Sequence, residues 1–133
     1  MLTTFPSLLM YGFFVPMMLR ITVAIIFGYL AIQHFTHKKA VSAEIKWVSH
    51  EMAVWATGLL ILAELALGIL LFVGAFTQIA ALLASLGFLK MAVLHKKMPN
   101  YAPLSRLSYV LLFVISMTLL ISGAGIFAFD LPL

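Results

Sequence analysis

Four ionisable residues stand apart from the rest of the charge in this sequence: Arg20, Glu64, Lys90 and Asp130. Each falls inside, or at the far end of, a long apolar run, one per run. A charged group at the centre of a bilayer costs ~2.5–3.5 kcal/mol on insertion scales, so it normally faces a bundle interior and meets a partner. At ~1.5 Å rise per residue, Glu64 and Lys90 are expected at nearly the same mid-depth, with Lys90 slightly toward the cytoplasm. Arg20 is expected in the outer part of its run, and Asp130 at the outer end of the last one. Two acids and two bases make a neutral set. Two readings stay open: ion pairs that fix helix register, or a polar pocket that opens to the outer side and binds a ligand.

The elements that must carry these groups follow from composition. The chain has 133 residues, is 65% hydrophobic and only 9% charged, with a mean hydropathy of +1.19. A soluble domain of this size could not hide so much apolar surface. That excludes soluble globular, disordered and nucleic-acid-binding classes, despite a pI near 9.6. Runs of roughly 20 apolar residues, the length needed to cross ~30 Å of hydrocarbon, predict four helices at about residues 14–35, 52–74, 77–94 and 107–129. The expected fold is an all-α membrane protein, a single domain over residues 1–133 built as a bundle of four transmembrane helices. Residues 1–15 hold Pro6 and Gly12 and lack the basic start and cleavage pattern of a signal peptide. They are expected to form a short interfacial or re-entrant lead-in.

The connections are unequal. Residues 74–77 read as a tight turn that makes helices two and three a close antiparallel hairpin. Residues 37–51 form a longer polar link whose segment 41–48 has helical spacing. Pro99 and Pro103 bracket a rigid connector before the last helix. Lys38, Lys39 and Lys46 lie in the first link, and Lys96, Lys97 and Arg106 in the third, while the opposite side carries no Lys or Arg. That count predicts cytoplasmic loops at 36–51 and 95–106, with both termini on the non-cytoplasmic side. Trp47, Trp55, Tyr101 and Tyr109 sit where a cytoplasmic aromatic belt would put them. His37-Lys38-Lys39 and His95-Lys96-Lys97 close helices one and three alike, an echo that snorkelling caps explain without a duplication.

Helical periodicity supports inward-facing charge. Arg20, Ala24, Gly28, Ala31 and His34 fall on one stripe, and the small pair Ala24/Gly28 permits close helix approach. Glu64 shares its face with Thr57 and Gly68. The histidines His34, His37, His50 and His95 all map to the cytoplasmic boundary, so His34, His37 and His95 are second-tier candidates. The i, i+3 pair His34/His37 has ligand-compatible spacing, but no metal site is expected beside so few acids. The chain has no cysteine, which excludes disulfides, thiolate metal sites and dithiol chemistry. Nucleophile elbows and phosphate loops are absent.

The residues resemble a known family. Leu19-Arg20 opens helix one. Glu64-Leu65-Ala66-Leu67-Gly68 is followed by Gly74-Ala75-Phe76-Thr77, and Phe129-Asp130-Leu131 closes the chain. The order and spacing resemble the DoxX family of small four-helix membrane proteins. The chain departs from it in having Phe129-Asp130 where the family usually has a Ser-Leu-Asp run, and in having Ile32-Gln33-His34-Phe35 where many relatives have Gly-x-x-Lys. The resemblance implies that Arg20, Glu64 and Asp130 occupy the family's polar positions, and it assigns none to Lys90. It implies a multi-pass protein of the bacterial cytoplasmic (inner) membrane, redox-associated and quinone-linked, acting as a subunit or scaffold without complete catalysis of its own. Quinone is the one cofactor it suggests. The expected partners are the lipid bilayer, a membrane redox enzyme subunit or a second copy, and no nucleic acid. The alternatives are a small proton-coupled transporter working as an oligomer and a purely structural membrane partner.

Overall fold

The computed structural model describes residues 6–123 and is helical throughout, with no strand among the described residues. A 3-10 segment, Pro6–Phe14, leads directly into α1, Val15–Thr36. Then follow α2 (Lys38–Glu44), α3 (His50–Val73), α4 (Thr77–Leu94) and α5 (Arg106–Ser122). Three stretches are long and apolar enough to cross a membrane: Met10–Thr36, His50–Val73 and Thr77–Leu94. α5 is a shorter apolar helix of 17 residues. The expected run of the last helix to residue 129 is corrected: α5 stops at Ser122, where Gly123 leaves the helix at φ 77°, and Asp130 lies outside the described residues.

Local chemistry sets these boundaries. Pro16 occupies the first turn of α1, where its missing N–H costs nothing. The hydroxyls of Ser49 and Ser105 cap α3 and α5 by accepting from the N–H groups of Met52 and Ser108. Gly74 ends α3 in the left-handed region, at φ 78°, where a residue without Cβ meets no penalty. Phe76 takes the same region at φ 51° as the chain turns into α4.

The helical part of the first link runs over residues 38–44, earlier than the expected 41–48. Val41 and Ser42 turn inward, and α2 packs on α3. The tight turn at 74–77 predicts close packing of α3 on α4, and the structure corrects this. α1 packs chiefly on α3, and α4 on α5, while α3 and α4 meet only slightly. The reason lies in the faces. Gly68 admits the α1 backbone, so an added Cβ there would sit 3.4 Å from the Ala24 carbonyl oxygen. α4 offers a row of small residues, Ala80, Ala81, Ala84 and Ser85, all buried. The shared core joins the two hairpins through Phe27, stacked on Phe88 at 4.9 Å. Outward-facing Ile25, Ile32, Leu62, Ile69 and Phe72 are exposed, the inverse of a soluble surface and suited to lipid.

Trp47 and Trp55 are exposed as a belt requires. Tyr101 and Tyr109 are not, since both are buried in the core.

Candidate functional site

The inward stripe on α1 is Arg20, Val23, Ala24, Phe27, Leu30, Ala31 and His34, all buried. The facing stripe on α3 is Ala53, Thr57, Glu64, Gly68 and Leu71. Arg20 retains only 2% exposure and Glu64 only 3%, so both charges face inward as periodicity predicts. Thr57 returns its hydroxyl to the Ala53 carbonyl of its own helix, 2.9 Å away.

The partner of Glu64 is not Lys90. It is His34, whose Nδ1 lies 2.7 Å from Glu64 Oε2 with both side chains buried. Lys90 is exposed and its Nζ stands over the Tyr101 ring, 5.7 Å from the centroid. Helical period explains the correction. The inward face of α4 runs through Ala81, Ala84, Ser85, Phe88 and Met91, and Lys90 lies ~200° round the helix from Phe88. A long amine near a helix end reaches the interface without entering the bundle.

The other ring nitrogen of His34, Nε2, is 2.7 Å from the Tyr101 carbonyl oxygen, and the two rings stack at 5.7 Å. A carbonyl only accepts, so Nε2 carries a hydrogen and donates it. One further hydrogen then sits between Nδ1 and Glu64 Oε2. Glu64 Oε1 is buried with no hydrogen-bond partner among the described residues.

Tyr101 belongs to the connector after α4, and the connector is anchored by a residue that sequence reasoning passes over. Glu44, the last residue of α2, accepts from Asn100 N–H at 3.0 Å and Asn100 Nδ2 at 2.9 Å through Oε1, and from Tyr101 N–H at 3.1 Å through Oε2. Tyr101 thus gives its N–H to Glu44 and its carbonyl to His34. Burial first, and the Glu64 carboxyl second, push the Tyr101 hydroxyl up to about 12, so it stays protonated. His95 Nδ1 donates to the Ala102 carbonyl at 2.9 Å and helps shape the same turn. His37 only returns to the Gln33 carbonyl of its own helix, and His50 is exposed at the start of α3.

The structure therefore brings Glu64, His34 and the Tyr101 carbonyl together. It leaves Lys90 and His37 outside that group and puts Arg20 at the far part of the α1 stripe. His34 is moved from the boundary to the interior. The signal was its place on the Arg20 stripe, and counting residues to the helix end obscured it because α2 and the connector cover that end. Among the described residues no three His, Asp or Glu side chains converge as metal ligands.

Beside the pair, α1 and α3 leave an open groove of about 250 Å³, walled by Ala24, Gly28, Leu65, Gly68, Ile69 and Phe72 among others. Neither Arg20 nor Glu64 forms part of its wall. In helical register, however, Arg20 is one turn from Ala24, and Glu64 one turn from Gly68.

Long apolar helices with lipid-suited outer faces, and the inward burial of Arg20 and Glu64, define a multi-pass α-helical membrane protein. Within that class the chain belongs to the DoxX family, whose model matches residues 15–97. That match spans α1 to α4 and contains Arg20, His34 and Glu64. No curated protein and no solved structure matches the chain.

Proposed function

We propose that this DoxX protein is a quinone-linked, redox-associated subunit or scaffold of the bacterial cytoplasmic membrane, with no complete catalytic activity of its own. The observation that carries the reading is the apolar groove between α1 and α3. Its opening onto the lipid-suited faces of Ile25, Ile69 and Phe72 suits a ring that enters from the bilayer while its apolar tail stays among acyl chains. The small residues Ala24 and Gly28 leave the room. Arg20 does not wall the groove, so contact with the ring is apolar. An added Cβ at Gly28 meets nothing within 4 Å, so Gly28→Leu fills the groove without displacing backbone. A short-chain quinone should raise the Tm of the purified protein in detergent and lose that effect in Gly28→Leu. An equal shift in the variant would remove the groove as the site.

With this reading goes a four-span bundle of α1, α3, α4 and α5, its loops 36–51 and 95–106 cytoplasmic. The support is the six-to-none distribution of Lys and Arg. Cysteines at exposed Ala43 and Phe76 should react with an impermeant reagent from opposite sides, Ala43→Cys from the cytoplasm. Labelling of Phe76→Cys only in inverted vesicles would reverse the orientation.

A small proton-coupled transporter working as an oligomer is the second reading, favoured by the buried His34–Glu64 pair. Flux driven by a pH gradient through reconstituted protein would select it over the first.

A further inference from the structure

We propose that the His34–Glu64 pair is a one-proton binding site that exchanges at the end of the bundle covered by α2 and the connector, and that Glu44 is the positioning residue holding it shut. The inference rests on the pair and the connector alone, so it stands or falls independently of the groove.

The proton count comes from geometry. Nε2 of His34 must donate to the Tyr101 carbonyl, which leaves Nδ1 and Glu64 Oε2 only 2.7 Å apart. Two lone pairs do not approach that closely without a hydrogen between them. With that hydrogen the pair is either imidazolium and carboxylate or imidazole and carboxylic acid. Both have the same atoms and no net charge. Removing the proton, or adding a second, leaves a net charge in an apolar interior, which burial penalises strongly. One proton is therefore the resting stoichiometry. Exchange takes a proton from water onto Glu64 Oε1, whose lone pairs have no partner among the described residues. The shared proton returns to water, and a half-turn of the carboxyl group brings the new proton between Glu64 and Nδ1, which restores the neutral pair.

Access is the remaining requirement, and the connector controls it. The Tyr101 ring stacks on the imidazole, while its N–H is held by Glu44 and its carbonyl holds His34. Both Glu44 oxygens are engaged on residues 100 and 101. Releasing that carboxylate frees the one segment that both orients the imidazole and covers it.

The other titratable groups around the pair do not replace this latch. From α4, Lys90 stands over the Tyr101 ring, its Nζ 5.7 Å from the centroid. From α5, the Tyr109 hydroxyl is committed to the Leu104 N–H at 3.1 Å. On α1, the Tyr29 hydroxyl accepts from Gln33. In the connector, His95 donates to Ala102. Along α1, Arg20 is fourteen residues from His34, roughly 21 Å at ~1.5 Å per residue. On α3, Glu51 lies about as far from Glu64.

The test is nitrogen NMR of the full chain in detergent with 15N-labelled histidine, the His34 signals being those lost in His34→Gln. Deuterium exchange at the His34 ring N–H should be at least tenfold slower than at exposed His37 and His50. Glu44→Ala should accelerate it at least fivefold. Glu44→Gln keeps one acceptor oxygen for Asn100 and should fall between the two, so it carries the test should the alanine variant not fold. Tyr101→Phe keeps the carbonyl and should accelerate exchange less than Glu44→Ala does. Glu64→Leu should move the Nδ1 signal to that of a nitrogen without a shared proton. Wild-type exchange as fast as that of His37, a smaller effect of both Glu44 variants, equal acceleration in Tyr101→Phe, or an unmoved Nδ1 signal would each overturn the proposal.

Discussion

The two helical hairpins of this protein, α1 with α3 and α4 with α5, solve the same burial problem by different chemistry. The first buries Arg20, His34 and Glu64. The second buries hydroxyls, those of Thr77, Ser85 and Ser116, and among its described residues its charged groups, Lys90 and Arg106, are exposed. Ser85 satisfies itself on the Leu82 carbonyl one turn back, at 2.7 Å, so it needs nothing from another helix. Glu64 has no such local remedy. A carboxylate cannot be answered by the carbonyls of its own helix, which also only accept. Its partner comes from α1, and that partner is in turn fixed by a carbonyl from the connector of the other hairpin. The charged hairpin therefore depends on tertiary structure for its buried pair, whereas Ser85 in the other hairpin is answered within its own helix.

Deleting one half of the pair should give the largest effect. Glu64→Leu or His34→Leu leaves the other group buried and unanswered, at a cost of ~3–5 kcal/mol, read as a fall in Tm in detergent. The double variant should be more stable than at least one single parent, because it removes the buried pair whole and leaves only the Tyr101 carbonyl without its donor. Two single variants that are each as stable as the wild type would erase the contrast between the hairpins.

A middle-sized effect concerns the close approach inside the first hairpin. Gly68→Val places methyl groups against the Ala24 backbone and should cost ~1–3 kcal/mol. Gly28→Ala, with open space where its Cβ would go, should leave Tm essentially unchanged. Equal behaviour of the two glycines would mean that α1 and α3 do not meet along this line.

The smallest effect belongs to the second hairpin. Ser116 Oγ is buried without a partner among the described residues. Ser116→Ala removes a desolvated hydroxyl while sacrificing no hydrogen bond, so Tm should hold or rise slightly. A fall as large as that in Glu64→Leu would show that the second hairpin also relies on an inter-helix polar contact.

Helix positions were the legible part of this chain. The third predicted helix, 77–94, coincides with α4, and the first two agree with α1 and α3 within about two residues at each end. Apolar run length and capping residues are local properties, and a bilayer-sized hydrophobic run admits few alternatives. The inward stripes were legible for the same reason. The 100° period that places Arg20, Ala24 and His34 on one face is a property of the backbone alone, as is the face shared by Glu64 and Gly68.

Pairing was decided only by the tertiary structure. Glu64 could be matched by depth with Lys90, but depth says nothing about azimuth, and Lys90 points away from the α4 core face. His34 looked like a boundary residue because the sequence shows where α1 ends and not what covers that end. Glu44 sits among basic residues in a polar link, and nothing in its neighbours announces that its carboxylate will meet residues 100 and 101, more than fifty positions away. The short turn at 74–77 fixes that α3 and α4 are consecutive, while the choice of α1 as the main neighbour of α3 depends on Gly68 fitting the α1 backbone. Hydrophobic periodicity acts along one helix and can be read from one. Partner choice depends on shape and hydrogen-bond complementarity between faces brought together from distant parts of the chain.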